Sequence, residues 1–238
     1  MLRGESTTSE ITTLTLVRYR SLKTKLWAFR MMRDAREFLS GVDGMNFCKL
    51  MGSGRGLGFN PFPDWSVYSL LQVWKTEDSA LDFMNNSPLL SLYDSHSSER
   101  IVFFMKNITS RGEWSGSQPF AASDSVIRQD LPVAVLTRAT IKNKHLFRFW
   151  KYVPVAQKPI VNADGLIFTK GFGEVPVKQM VTFSIWESVE AMRQYAYHSP
   201  EHVEAIRKTR KHEWFSEELF ARFQLYKTLG SWEDISGL

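Results

Sequence analysis

Five histidines, His96, His145, His198, His202 and His212, and one cysteine, Cys48, are the side chains in this sequence best suited to ligate a metal or move a proton at neutral pH. Position separates them. Ser199 followed by Pro200 reads as a helix N-cap and a proline at the first helical position, which puts His202 in the first turn of a helix. On that helix His202 shares a stripe with Ala205, Ile206, Thr209 and Glu213 at three- and four-residue steps. The early part of the stripe is small or apolar, so His202 is expected to face inward. The positive end of the helix dipole favours the neutral imidazole that a metal requires. A haem iron needs only one such imidazole from the protein, whereas zinc needs more ligands than this neighbourhood offers. His202 is therefore the candidate axial ligand. His198, just before the cap, is the alternative, and Cys48, on an expected strand, leaves thiolate ligation open. His212 falls in the basic run Arg207 to His212 and is expected to be exposed.

Other familiar chemistries are missing from the sequence. There is no Gly-x-Ser-x-Gly elbow, no His-Glu-x-x-His pair and no dinucleotide fingerprint after a strand. Gly52 to Gly58 is glycine-rich but lacks the spacing and the Lys-Ser/Thr end of a phosphate loop, and reads as a loop at a pocket mouth. No residue is singled out as catalytic acid, base or nucleophile. Lys49, Arg55 and Lys170 are cations beside the expected pocket, and Lys49 and Arg55 are the pair expected to meet a cofactor's carboxylates. Trp27, Phe29, Phe59, Phe62, Trp65, Tyr68 and Trp74, with Met31, Met32, Met45 and Met51, supply apolar surface for either a core or a long apolar ligand.

The elements that must position these residues are visible because the chain repeats itself. Val73-Trp74-Lys75-Thr76-Glu77, ending at Ser87-Pro88, is echoed by Ile185-Trp186-Glu187-Ser188-Val189, ending at Ser199-Pro200. Gly44, Phe47, Lys49 and Gly52 fall on Gly165, Phe168, Lys170 and Gly173, and Arg18 and Phe29 are matched to Arg138 and Phe149. Shared order and spacing point to duplication. Each copy reads as an alternating strand (Thr13 to Arg20; Val133 to Thr140), an aromatic-rich helix (about Lys25 to Leu39; about Lys144 to Val153), a strand through Phe47 or Phe168, a strand to Trp74 or Trp186, and a helix capped by Thr76 or Ser188. Two tandem ferredoxin-like units of α+β class are expected, forming within one chain the barrel that single copies make by dimerising. The expected divisions are a flexible N-terminus (1–12), the first unit (13–115), a linker (116–131), the second unit with an extended C-terminal helix (132–230) and a tail (231–238). That last helix is expected to run from Glu201 to Leu225.

Composition narrows the class. The 238 residues are 43% hydrophobic and 13% aromatic, ample for a sizeable core. A single cysteine excludes an intramolecular disulfide and a cysteine-rich zinc site, and with a polar N-terminus the expected address is cytoplasmic. No stretch approaches the roughly 20 apolar residues of a membrane span. The net charge of +5 is interspersed with acids and gives no case for nucleic acid. The run Arg207 to His212 reads as a solvated face, with a peripheral membrane contact as its second reading.

Lys49-Leu50-Met51-Gly52-Ser53-Gly54, continued by Gly58-Phe59-Asn60-Pro61-Phe62-Pro63, resembles the spheroidene monooxygenase family. Trp27-Ala28-Phe29, Glu113-Trp114-Ser115-Gly116 and Trp214 to Phe223 are similar to it as well, so the resemblance runs from about Leu14 to Phe223. It implies a haem-dependent oxygenase of acyclic carotenoid biosynthesis that uses molecular oxygen and an external electron-donor protein, reduced ferredoxin. Two hydroxylations at C2 and loss of water would give a 2-keto carotenoid. The alternatives are another haem enzyme on this scaffold, a haem-degrading monooxygenase or a dehydratase, and a non-catalytic carrier of a hydrophobic ligand.

Overall fold

The computed structural model describes residues 10–58, 60–121, 128, 130–157, 160, 162–198 and 200–235. Within α5 and α6, defined below, the side chains of His198, Glu201, His202, Ala205, Ile206 and Arg210 lie outside the described set, as do Ser199 and Phe59 entirely. The first copy contains β1 (Ile11–Arg18), α1 (Leu22–Leu39), β2 (Met45–Gly54), β3 (Pro63–Trp74), α2 (Glu77–Asn86), α3 (Pro88–His96) and β4 (Glu99–Gly112). The second repeats the order with β5 (Val133–Ile141), α4 (Leu146–Gln157), β6 (Leu166–Val175), β7 (Gln179–Trp186), α5 (Val189–His198), α6 (Pro200–His212) and β8 (Phe215–Gly230). The described strands close into one antiparallel barrel in the order β1-β3-β2-β6-β7-β5-β8-β4. Each copy contributes four strands, and closure through β2–β6 and β4–β8 removes the free edges that an open sheet would expose.

The strand register carries the duplication into three dimensions. Trp74 pairs with Ile11 and Met45, and Trp186 pairs with Val133 and Leu166. A bulge recurs at Met45/Phe47 and at Leu166/Phe168. Gly44 and Gly165, at φ +73° and +71°, turn the chain into β2 and β6. A Cβ there would lie 2.3 Å from Ser79 Oγ or 2.6 Å from Ala191 Cβ, so both glycines let the following helix close onto the sheet. Ser79 and Ala191 are themselves equivalent, and the amides of Ser79 and Ala191 take their caps from Thr76 and Ser188.

Two corrections follow. The register places Arg18 opposite Val67 and Thr140 opposite Gln179, so Arg18 corresponds to Thr140, and Arg138 corresponds to Leu16. A two-residue slip keeps every side chain on its own face, which is why matching by residue type did not detect it. The expected helix from Glu201 to Leu225 ends instead at His212, and Phe215–Gly230 is β8. Leu219, Ala221, Phe223 and Leu225 point alternately into the barrel, a period of two that outweighs the helical spacing of Phe215, Leu219 and Phe223.

The barrel interior is a packed core, with Leu14, Leu16, Phe103, Phe168, Phe172, Phe183 and Phe223 among its buried residues. Outside it, α1, α2 and α3 seal the first sheet with Met31, Ala35, Phe83, Leu89 and Tyr93 against Val17, Leu70, Trp74 and Phe104. Burial of each of Met31, Phe83 and Leu89 contributes about 1.5–3 kcal/mol. Among the described residues no helix is long and apolar enough to cross a membrane.

Candidate functional site

The two helix-covered faces differ in the bulk of their floors. At equivalent positions Leu70 and Gln72 of β3 become Thr182 and Ser184 of β7, Cys48 and Leu50 of β2 become Thr169 and Gly171 of β6, and Val17 of β1 becomes Ala139 of β5. Thr13, Thr15, Leu70 and Gln72 are buried, whereas Val135, Thr137, Thr182 and Ser184 are partly exposed. The second face is closed at one end by Ile141, Phe149, Val153, Met180 and Trp214, and at the other Trp186 packs on Tyr195 with ring centroids 5.1 Å apart. Between these ends the floor carries smaller side chains, of which Thr169 and Ala139 are still buried. A small void of about 10 Å³ lies in the first face, at Val17, Ala28, Met31 and Leu70.

Helix α6 starts at Pro200, so its first turn carries His202, as the proline signal indicated. Near the other end of α6, Thr209 borders an open cleft of about 440 Å³ with Lys142, Glu213, Phe215 and Glu217. Among the described residues no three His, Cys, Asp or Glu side chains gather around a point. His96, partly exposed, stacks flat on Trp27 with ring centroids 3.9 Å apart, and its Nδ1 lies 2.9 Å from the Leu92 carbonyl. Cys48 lies on the first copy's covered face, where burial pushes its thiol pKa up, against thiolate ligation, although Lys49 opposes the shift.

Lys49 and Arg55 lie apart from that cleft. Lys49 points into the barrel, where its ammonium meets Glu174 at 2.9 Å and Ser115 Oγ at 3.0 Å. Lys170 likewise pairs with Asp64 at 3.0 Å. Arg55 is exposed in the β2–β3 turn. The sequence signal that suggested these cations, proximity to a glycine-rich loop, did not say which face of the strand each occupies.

Sequence reasoning missed the polar network inside one end of the barrel. Arg138 is 0% exposed, bonds Glu217 through Nη1, and lies 3.7 Å from Glu174 and 5.8 Å over the Trp114 ring. Trp114 Nε1 donates to Glu174 at 2.6 Å, and the Gly116 amide donates to Glu217 at 2.8 Å. The signal was available: an arginine at an inward position of the alternating strand Val133–Ile141 must find acids, because a lone buried guanidinium is prohibitive.

Comparison with known proteins bears on this arrangement. A family profile described as a domain of unknown function (DUF3291) matches residues 150–227, from α4 through most of β8. The chain is 36% identical over 223 residues to a spheroidene monooxygenase of Rhodobacter capsulatus, covering 93% of this chain and 92% of that protein. It is also 36% identical over 226 residues to the Cereibacter sphaeroides protein of the same name, covering 93% and 68%. Among solved structures, an aldoxime dehydratase in complex with butyraldoxime superposes with a TM-score of 0.64 at 10% identity, covering 94% of this chain and 82% of the other; that likeness concerns the fold.

Proposed function

Because the chain belongs to the spheroidene monooxygenase family, we propose that it is a haem-dependent oxygenase that hydroxylates C2 of an acyclic carotenoid twice. The observation that carries the haem reading is the cut-back outer face of the second sheet, where Thr137, Thr182 and Ser184 are partly exposed and Thr169 and Gly171 stand in place of the bulkier Cys48 and Leu50 of the first copy. A planar macrocycle would suit a face from which side chains have been cut back, and haem would need only one ligand from the protein. His202, in the first turn of α6, is the residue proposed to supply it, with His198 as the alternative. A helix N-terminus disfavours the charged form of an imidazole placed there, which suits a metal ligand.

When bound, haem would supply the activation of molecular oxygen, with electrons delivered from outside by a donor such as reduced ferredoxin. The remaining tasks belong to the chain. Apolar side chains around the face would exclude water and hold one end of the polyene, and it is this positioning that selects a single methylene. Each hydroxylation replaces one C2 hydrogen by hydroxyl and consumes one molecule of oxygen, two electrons and two protons, releasing one water. The resulting geminal diol loses water to give the ketone.

The test is to purify the protein, record its absorbance with and without reductant, and supply a spheroidene-type carotenoid, a ferredoxin system and ¹⁸O₂. The expected result is a Soret band and a 2-hydroxy then 2-keto product carrying ¹⁸O. A Soret band without carotenoid oxidation would favour another haem enzyme. No Soret band at all would favour a hydrophobic-ligand carrier.

A further inference from the structure

We infer that the N-terminal half of α1 and the β2–β3 turn form a docking face for an anionic lipid bilayer. Leu22, Leu26 and Phe29 recur at four- and three-residue steps on one face of α1 and stand out of the fold, Leu22 80% and Leu26 61% exposed. Phe29 packs on the exposed ring of Trp65 at 5.1 Å, which ties the helix to the start of β3. Three residues before Trp65, Phe62 is 65% exposed, and its carbonyl accepts from the Arg55 amide across the turn that also presents Leu57. Six large apolar side chains, Leu22, Leu26 and Phe29 on α1, Trp65 at the start of β3, and Leu57 and Phe62 in the turn before it, are thus left exposed, with Phe29 and Trp65 joining helix to turn, apolar exposure of the kind that marks an interaction site.

The charge around the patch identifies the partner. From Arg20 to Arg33 the chain carries Arg20, Lys23, Lys25, Arg30 and Arg33 and no acid. Lys23, Lys25, Arg30 and Arg55 have no ion pair among the described residues. The first turn of α1 holds no acidic residue and places Lys23 and Lys25 at the positive end of the helix dipole, where lysine is unfavourable for the helix itself. An amphipathic helix with Leu and Phe on one face and flanking Lys and Arg is the pattern that lies in an anionic membrane surface. The run Arg207 to His212 is less suited: Arg207 and Lys208 are both engaged with Glu204, and Lys208 sits 4.1 Å over Tyr152. The inference goes beyond the oxygenase reading and does not rest on it, since neither haem nor carotenoid enters the argument.

The test is co-sedimentation of the full chain with vesicles of phosphatidylcholine alone and of phosphatidylcholine mixed with phosphatidylglycerol. Binding to the mixed vesicles, weakened by salt, is expected, with about a fivefold loss of partition for each of Lys23→Gln and Lys25→Gln. The double variant Leu26→Ser/Phe62→Ser should lose binding with its melting temperature unchanged, because both side chains are exposed. Equal binding by wild type and variants, or no dependence on phosphatidylglycerol, overturns the inference. So does a concentration-dependent dimer of the wild type that Leu26→Ser/Phe62→Ser converts to monomer, because the patch would then be covered by a second copy.

Discussion

Lys49 and Lys170 occupy equivalent positions on β2 and β6, and each gives its ammonium to a carboxylate of the opposite copy, Lys49 to Glu174 and Lys170 to Asp64. The two halves of the barrel are thus cross-linked reciprocally. At the start of β4 and β8 the equivalent acids Glu99 and Glu217 take Arg18 and Arg138. Because β1 and β5 run in opposite directions around the ring, the two arginines lie at opposite ends of the barrel.

Of these pairs, the one at Glu174 should matter more for stability. Glu174 serves Lys49, Trp114 and the fully buried Arg138, so Glu174→Gln leaves a guanidinium short of countercharge. The expected cost is about 3 kcal/mol. Asp64→Asn, at a carboxylate that is more exposed than Glu174 and for which no pairing with a buried guanidinium is seen among the described residues, should cost about 1 kcal/mol. Urea unfolding of the two variants should rank them in that order; the reverse order would show that the buried network is not what holds the end of the barrel.

Acid should weaken the barrel through Asp64 and Glu217. Burial raises both carboxyl pKa values, but Ser66 and Lys170 at Asp64, and the Gly116 amide and Arg138 at Glu217, outweigh it and leave both lowered. A carboxyl depressed in the folded state contributes stability that is complete above its unfolded pKa, about 4, and is lost as pH falls through the folded value. Unfolding free energy should therefore drop below about pH 4, and Glu217→Gln should flatten that drop while lowering stability at neutral pH. An unchanged acid slope in Glu217→Gln would remove Glu217 from the account.

The opened face of the second copy can be refilled. Thr182→Leu and Gly171→Leu install the residues found at the equivalent positions Leu70 and Leu50 of the first copy. Both should lower haem content, and Thr182→Leu should stabilise the haem-free protein by about 1 kcal/mol as apolar surface is covered. Full haem occupancy in both variants would place the cofactor elsewhere.

How much of this was legible in the sequence depends on the signal each element carries. Gly44 with Gly165, Thr76 with Ser188 and Trp74 with Trp186 can be matched from sequence because a left-handed turn, a helix cap and a buried indole each admit few residue types. Arg18 and Arg138 were matched by type although they differ in register, since both face inward and alternation is blind to a two-residue slip. β8 was read as helix because its apolar residues satisfy both periods, and only the partners β4 and β5 decide between them. The ion pairs of Lys49 and Lys170 were invisible because each partner is supplied by the other copy.

Ligation of haem by the second copy through His202 is tested by absorbance spectra of His202→Ala, His198→Ala and His212→Ala, purified alongside the wild type. His202→Ala alone is expected to lose the Soret band and carotenoid oxidation while keeping its melting temperature within a few degrees of the haem-free wild type. A His202→Ala protein with the full wild-type Soret band would contradict it.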